Sequence, residues 1–345
     1  MKAAIIESHG ELDQVHVADI DAPEPGIGEV LVRTNHAALN HLDYFVVKGW
    51  SGLELHMPHV LGSDASGIVE EVGVGVTLVQ KGDAVAINPG LSCGKCEACL
   101  SGNQNLCRSF VIKGEHVPGT FAEYFTVPEI NAIKVPEGYP MDKAAAAPLV
   151  FLTAWRMLST MAMVKHGETV FVQGAGGGVS TAAIQIAKLL GATVIVTTGS
   201  SAKEEKARAL GADHVINYNE MPEYSAHVFK DITAKRGVDV VIDSVGAATF
   251  STSLRLLRPG GRLVVCGATT GPTTELDIRQ VFWRQARVLG SSMSNQTEFR
   301  DVMKLVFEGK LDPVIDRSFS LDEVPDAEAY LIQADQFGKI VINIV

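Results

Sequence analysis

The segment ETVFVQGAGGGVSTAAIQIAKLLGA, residues 168–192, constrains the fold of this chain more than any other stretch. It is an apolar run, a glycine-rich turn and an amphipathic helical pattern in immediate succession. The alternation then continues. Short apolar runs fit strands at 169–173, 193–197, 214–217, 238–243, 262–266 and 287–289. Helical spacing fills 179–190, 203–210, 224–235 and 249–257, with a less regular stretch at 278–284. Strands that are nearly all apolar predict a parallel sheet covered on both faces. Six of them in about 125 residues predict a doubly wound domain that binds a dinucleotide.

Gly174 permits a tight turn where the first strand ends, and Gly176 and Gly177 let backbone N–H groups approach a pyrophosphate. Gly178 and Val179 open the helix, whose N-terminus favours the negative charge. Ser180 stands where a third glycine would let helix and strand pack closely, and Gly267, after the fifth strand, completes the set. An isolated glycine turn also fits a plain βα loop; its place inside a repeated βα pattern favours a cofactor. The end of the second strand selects the nicotinamide. It reads TVIVTTGSSAK, with Thr198 where an NAD site carries a carboxylate for the ribose diol. Ser200 and Lys203 offer a hydroxyl and a cation instead, which suit a 2′-phosphate and predict NADPH over NADH.

A second signal lies upstream. Cys93, Cys96, Cys99 and Cys107 form C-x2-C-x2-C-x7-C in the loop GLSCGKCEACLSGNQNLC. Two-residue separations let a chain turn its thiolates onto one tetrahedral ion. Four sulfur ligands leave no open position, so a zinc here is structural. A disulfide pair or a redox relay is the competing reading. Cys266, in LVVCG, reads as a buried small hydrophobe.

The rest of the chain has a different texture. Up to about Pro148 it is rich in Gly and Pro, with short β-like runs at 29–34, 67–72 and 84–87. The last fifty residues are mixed and end in a strand at 339–345, which is expected to return to the first domain. The predicted domains are 1–148, 149–292 and the returning segment 293–345. No internal repeat or low-complexity segment is found. The net charge of 29 − 40 = −11 argues against nucleic acid and favours a small-molecule partner. The longest apolar stretch, 144–155, is broken by Pro148 and is shorter than the roughly 18 residues of a membrane span. MKAAIIESHGELD turns acidic too early for a targeting peptide, so a cytoplasmic address is expected.

These features together resemble the medium-chain dehydrogenase/reductase superfamily of zinc alcohol dehydrogenases and quinone oxidoreductases. The resemblance covers essentially the whole chain, through EPGIGEVLVR, PHVLGSDASGIVEEVG, the four-cysteine lobe, GTFAEY, the glycine turn, LGADHVINY and GKIVINI. It implies an α/β architecture, a GroES-like β domain closed by the C-terminal tail around a Rossmann domain. It also implies that Lys203 and Tyr218, fifteen residues apart, hold the 2′-phosphate of NADPH. A homodimer or homotetramer joined through an edge strand around 262–268 is implied too.

The catalytic metal is where the pattern departs. Zinc-dependent members place a Cys in C-x-x-D, a His in G-H-E and a second Cys at the start of the nucleotide domain. Here the segments read NHLD, with Asn40 for the cysteine and Asp43 retained, and GSD, with Ser63 for the histidine and Asp64 for the glutamate. The third position falls near Leu149. An amide, a hydroxyl and an isobutyl group do not make a strong zinc site. His41, His59 and His116 are the residues from which a replacement site would have to be built.

Without a Lewis acid, stabilising the alkoxide of a simple alcohol is harder, whereas an activated acceptor needs only donors for its conjugated oxygen. The expectation is an NADPH-dependent reductase of a quinone or α,β-unsaturated carbonyl compound. Asn40, Asp43, Tyr44 and Ser63 are expected to line the pocket at the nicotinamide, with Asn40 orienting substrate or carboxamide and Tyr44 or a water delivering the proton. Asp43 as a tie between loops and Tyr44 as core are the plainer readings. An acryloyl-CoA-like reductase, an alcohol or aldehyde dehydrogenase, and a non-enzymatic NADPH-binding protein are the alternatives.

Overall fold

The computed structural model describes residues 1–344. They divide into two compact units, Met1–Leu152 together with the segment from Met293 onward, and Thr153–Ser292.

The smaller unit is built on a six-stranded parallel sheet. Its order is His214–Asn217, Thr193–Thr198, Thr169–Val172, Val238–Asp243, Leu257–Val265 and Arg287–Gly290. This order starts at the third strand, runs back through the second to the first, then out through the fourth to the sixth, which is the doubly wound arrangement. Every residue of Thr169–Val172 and Val238–Asp243 is buried, as strands covered on both faces require. The helix Gly178–Leu189 covers the sheet with Ala182, Ala183, Ile184, Ile186 and Ala187.

Four expectations change here. The segment 224–235 is not one regular helix: a turn at Tyr224–His227 widens into a π-helical turn at Val228–Ile232. The fifth strand begins at Leu257, five residues earlier than predicted. It runs through Arg-Pro-Gly-Gly because its register shifts between Val238 and Val240, where a bulge accommodates residues that a regular ladder would not. That strand is also flanked on both sides, so 262–268 is not the sheet edge; Arg287–Gly290 is. Cys266 lies just past the fifth strand and is half-buried, less enclosed than its apolar neighbours suggested.

The larger unit holds a seven-stranded sheet. Its path runs Ala132–Lys134, Ala84–Ile87, Asp64–Val72, Glu29–Ala38, Lys339–Asn343 and Ile315–Ser320, with Tyr124–Pro128 also paired to Glu29–Ala38. In Glu29–Ala38 the buried residues alternate through Val30, Val32 and Thr34, the period-two pattern of a strand with one face on a core. That core gathers Phe121, Phe125, Val69, Val85, Ile340 and Ile342. The tail thus supplies two strands to this sheet and the helices Gln296–Phe307 and Val324–Gln333 to the same unit. The terminal strand ends at Asn343; Val345, which the sequence reading included in it, lies outside the described residues. Among the described residues, no helix is long and apolar enough to cross a membrane.

Candidate active site

In the smaller unit, the predicted cofactor residues collect at the C-terminal ends of the parallel strands, where open α/β sheets bind ligands. Gly174 follows the first strand with φ +74°, a left-handed conformation that favours glycine. Its N–H donates to Thr197 Oγ1 (3.0 Å) and the next N–H, of Ala175, to the Thr197 carbonyl (2.7 Å). Gly177 caps the helix that Gly178 and Val179 begin. Ser180 is buried in its first turn and donates its hydroxyl to the Gln173 carbonyl (3.3 Å), so it ties helix to strand. Gly267 follows the fifth strand, close to the Ser244 backbone.

The second and third strands bring the proposed 2′-phosphate residues into one neighbourhood. Thr198 pairs with Asn217, and the Tyr218 N–H donates to the Thr198 carbonyl (3.0 Å). A Cβ on Gly199 would sit 2.4 Å from the Tyr218 hydroxyl, so the phenol lies directly against that glycine. Ser200 caps the helix Ser201–Ala209, and Lys203 sits in its first turn. Asn219, not singled out in the sequence, donates its side-chain N–H to the Gly199 carbonyl (2.8 Å). No carboxylate stands among Thr198, Gly199 and Ser200.

In the larger unit, the four cysteines converge. Their sulfur atoms all lie within 4.8 Å of one another, with Cys93–Cys107 and Cys96–Cys99 at 3.5 Å and Cys93–Cys99 at 3.9 Å. Zn–S bonds of about 2.3 Å in a tetrahedron put sulfur atoms about 3.8 Å apart, so this donor set fits zinc. None of the four is joined in a disulfide. The backbone N–H groups of Lys95 and Cys96, together with the Cys107 thiol, lower the Cys93 thiol to about 6, favouring the ligating thiolate. The strands Gly90–Leu91 and Val111–Ile112 pair at the base of the lobe.

The positions that hold a catalytic metal in the resemblance converge as well, and they do not fit one. Asn40 donates through Nδ2 to Asp64 Oδ2 (3.0 Å) and to the Ala38 carbonyl (3.3 Å). Asp64 Oδ1 accepts the Leu149 N–H (2.8 Å). Lys339, not singled out in the sequence, closes the group: its ammonium donates to Asn40 Oδ1 (2.6 Å), the Leu39 carbonyl (2.6 Å) and Asp64 Oδ2 (3.0 Å). The Asp64 carboxylate is therefore already bonded to an ammonium, an amide and a backbone N–H. The histidines give no substitute. His59 Nε2 contacts the Gly114 carbonyl (3.1 Å) and His116 Nδ1 accepts the Ile112 N–H (3.2 Å). Among the described residues, the four cysteines are the sole cluster of potential metal ligands.

Asp43 is fully buried in the first turn of the helix His41–Lys48, where its Oδ2 accepts the Asn40 N–H (2.7 Å). Burial pushes its carboxyl up to about 7, against the opposing pull of the Asn40 N–H and Lys339. Its Oδ1, the Ser63 hydroxyl and both oxygens of buried Glu328 have no hydrogen-bond partner. Burial, then the charge of Asp43, raises Glu328 well above the usual carboxylate range. Tyr44 is half-buried, its ring tilted beside Phe45 at 6.0 Å.

Residues 26–137 match the alcohol dehydrogenase GroES-like domain and residues 178–308 the zinc-binding dehydrogenase family. The chain is 32% identical to an acryloyl-coenzyme A reductase of Sulfurisphaera tokodaii, over 99% of this chain and 100% of the relative. It is 31% identical to an NAD-dependent alcohol dehydrogenase of Sulfolobus acidocaldarius, over the whole of both chains. A crystal structure described as an NAD-dependent alcohol dehydrogenase superposes with a TM-score of 0.96 at 44% identity, covering 100% of both chains. A GroES-like domain joined to a Rossmann-type sheet defines a two-domain dehydrogenase. The chain belongs to the medium-chain dehydrogenase/reductase superfamily and is an NAD(P)-dependent oxidoreductase of the alcohol dehydrogenase type.

Proposed function

We propose that the protein is an NADPH-dependent reductase of an activated acceptor, a quinone or an α,β-unsaturated carbonyl compound. In this reading it holds one structural zinc on Cys93, Cys96, Cys99 and Cys107 and works without a metal at Asn40 and Ser63. The observation that carries it is the closed Asp64–Asn40–Lys339 group, which engages the Asp64 carboxylate. Bound nicotinamide supplies the hydride.

Reducing a conjugated carbonyl places negative charge on its oxygen, which calls for positioned donors. The Ser63 hydroxyl has its donor unspent. Asn40 has both amide N–H groups and one oxygen lone pair engaged, so the capacity it retains is one acceptor lone pair. It can hold an N–H or O–H of a bound molecule but cannot donate to a developing oxyanion. Tyr44 is the proton donor of this scheme. Preference for NADPH is supported by Thr198 in place of a carboxylate and by the approach of Tyr218 to the loop leading into Lys203.

An enoyl-thioester substrate is the second reading, favoured by the relative named acryloyl-coenzyme A reductase. Four neighbouring free thiols suit a reducing compartment, and we place the protein in the cytoplasm as a homo-oligomer joined through the edge strand Arg287–Gly290. The test is a zinc count alongside NADPH and NADH oxidation with benzoquinone, crotonaldehyde and crotonyl-CoA. One zinc per chain and NADPH-dependent reduction is the expected result. Two zincs with oxidation of simple alcohols would overturn it. Unchanged turnover in both Asn40→Ala and Tyr44→Phe would remove these residues from the reaction.

A further inference from the structure

Lys339 opens the terminal strand Lys339–Asn343 and is 4% exposed. An ammonium has three N–H donors, and all three are spent, on Leu39, Asn40 and Asp64. The acceptors lie between 275 and 300 positions earlier in the chain. Stability alone does not account for such an arrangement. A buried ion pair often contributes no more than well-packed apolar residues of the same volume. What it does impose is orientation. A side-chain amide can sit in either of two flipped states, and an uncharged surrounding discriminates weakly between them. Lys339 can only donate and ionised Asp64 can only accept. Placed on either side of Asn40, they force Oδ1 toward the ammonium and Nδ2 toward the carboxylate. The flipped amide would put N–H against N–H and oxygen against oxygen.

We propose that Lys339 is a positioning residue for the reaction, a built-in cation that locks the Asn40 amide so that Asn40 presents only an acceptor to a bound molecule. This deepens the proposed function and rests on its assignment of Asn40 to the reaction. Lys339 touches no substrate in this scheme; it acts through Asn40.

Three preparations of the full-length protein test it. Lys339→Ala leaves Asp64 buried without its cation, and its Tm is expected to fall by roughly 5–10 °C. Propylammonium chloride restores at least half of that loss, and sodium chloride at equal ionic strength does not. Lys339→Met combined with Asp64→Asn removes the pair while keeping its net charge, so it folds even where the single variant does not. Its kcat for crotonaldehyde or benzoquinone reduction is expected to stay about tenfold or more below wild type, with the KM for NADPH changed less than about threefold. The Asn40 side-chain N–H protons report without turnover: they exchange at least about tenfold faster in the double variant.

A double variant with wild-type kcat, or with unaltered Asn40 exchange, overturns the proposal, as does equal rescue by sodium chloride. A wild-type protein that reduces none of the probes refutes the proposed function instead, and the exchange and rescue measurements still decide the role of Lys339.

Discussion

Asp43 makes the stability of this protein depend on pH in a direction opposite to most carboxylates. Its carboxyl is raised from 3.8 to about 7, chiefly by burial. The folded state therefore holds the proton more tightly than the unfolded chain does. The resulting stability is fully present below about pH 4 and is lost as pH rises through 7. The difference between 3.8 and about 7 corresponds to roughly 4 kcal/mol in all, of which about 3 kcal/mol falls between pH 5 and pH 8. Asp43→Asn keeps an oxygen for the Asn40 N–H and cannot ionise. Carboxylates away from this site titrate equally in both proteins and cancel in the difference, whereas Glu328, raised in part by the charge of Asp43, does not. Urea unfolding at pH 5, 6, 7 and 8 is expected to show Asp43→Asn gaining about 3 kcal/mol on wild type across that range. Parallel pH curves for the two proteins would refute the reasoning, because they would mean that the buried carboxyl does not titrate there. Glu328→Gln bears on the same site: with the neighbouring carboxyl replaced by an amide, any ionisation of Glu328 that raises Asp43 is gone, and the Asp43 midpoint does not rise.

Cys99→Ser is expected to drop zinc below one per chain and expose the 93–107 lobe to proteolysis, with NADPH affinity unchanged; metal analysis and limited digestion check it. Lys203→Ala should weaken NADPH about tenfold and NADH little, measured by fluorescence titration; equal loss for both would remove the 2′-phosphate role. In Gly174→Ala the new methyl meets nothing closer than Val245 Cγ2 at 3.9 Å, so the cost is backbone strain of roughly 1–2 kcal/mol in chemical unfolding. Val288→Lys puts a charge on the exposed edge strand and is expected to turn the proposed homo-oligomer into monomers by light scattering.

The sequence by itself determined the parts whose signal is local. Apolar runs such as TVFV and VDVVID declare strands because burial on both faces leaves few polar positions in them. C-x2-C-x2-C-x7-C brings thiols together because short separations can only fold back on themselves. Gly174 marks its turn because a left-handed residue without a side chain costs least there. The edge that the resemblance implied at 262–268 is an inner strand, and an apolar run does not itself say whether one neighbour covers it or two. The bulge that lets the fifth strand start at Leu257 was hidden behind Arg-Pro-Gly-Gly, a string that reads as a turn until its partner strand is in place.

Tertiary structure alone decided how the candidate-site residues are charged and aimed. Asn40, Ser63 and Leu149 could be matched to missing ligands from sequence, but the ammonium that joins Asn40 to Asp64 comes from Lys339, about 300 positions later. A lysine heading KIVIN looks like ordinary solvated punctuation. Only burial beside three acceptors turns it into a fixed cation, and burial is the main cause that raises the carboxyls of Asp43 and Glu328. Both effects arise from water being excluded by strands far apart in the chain, and no local pattern records which strands those are.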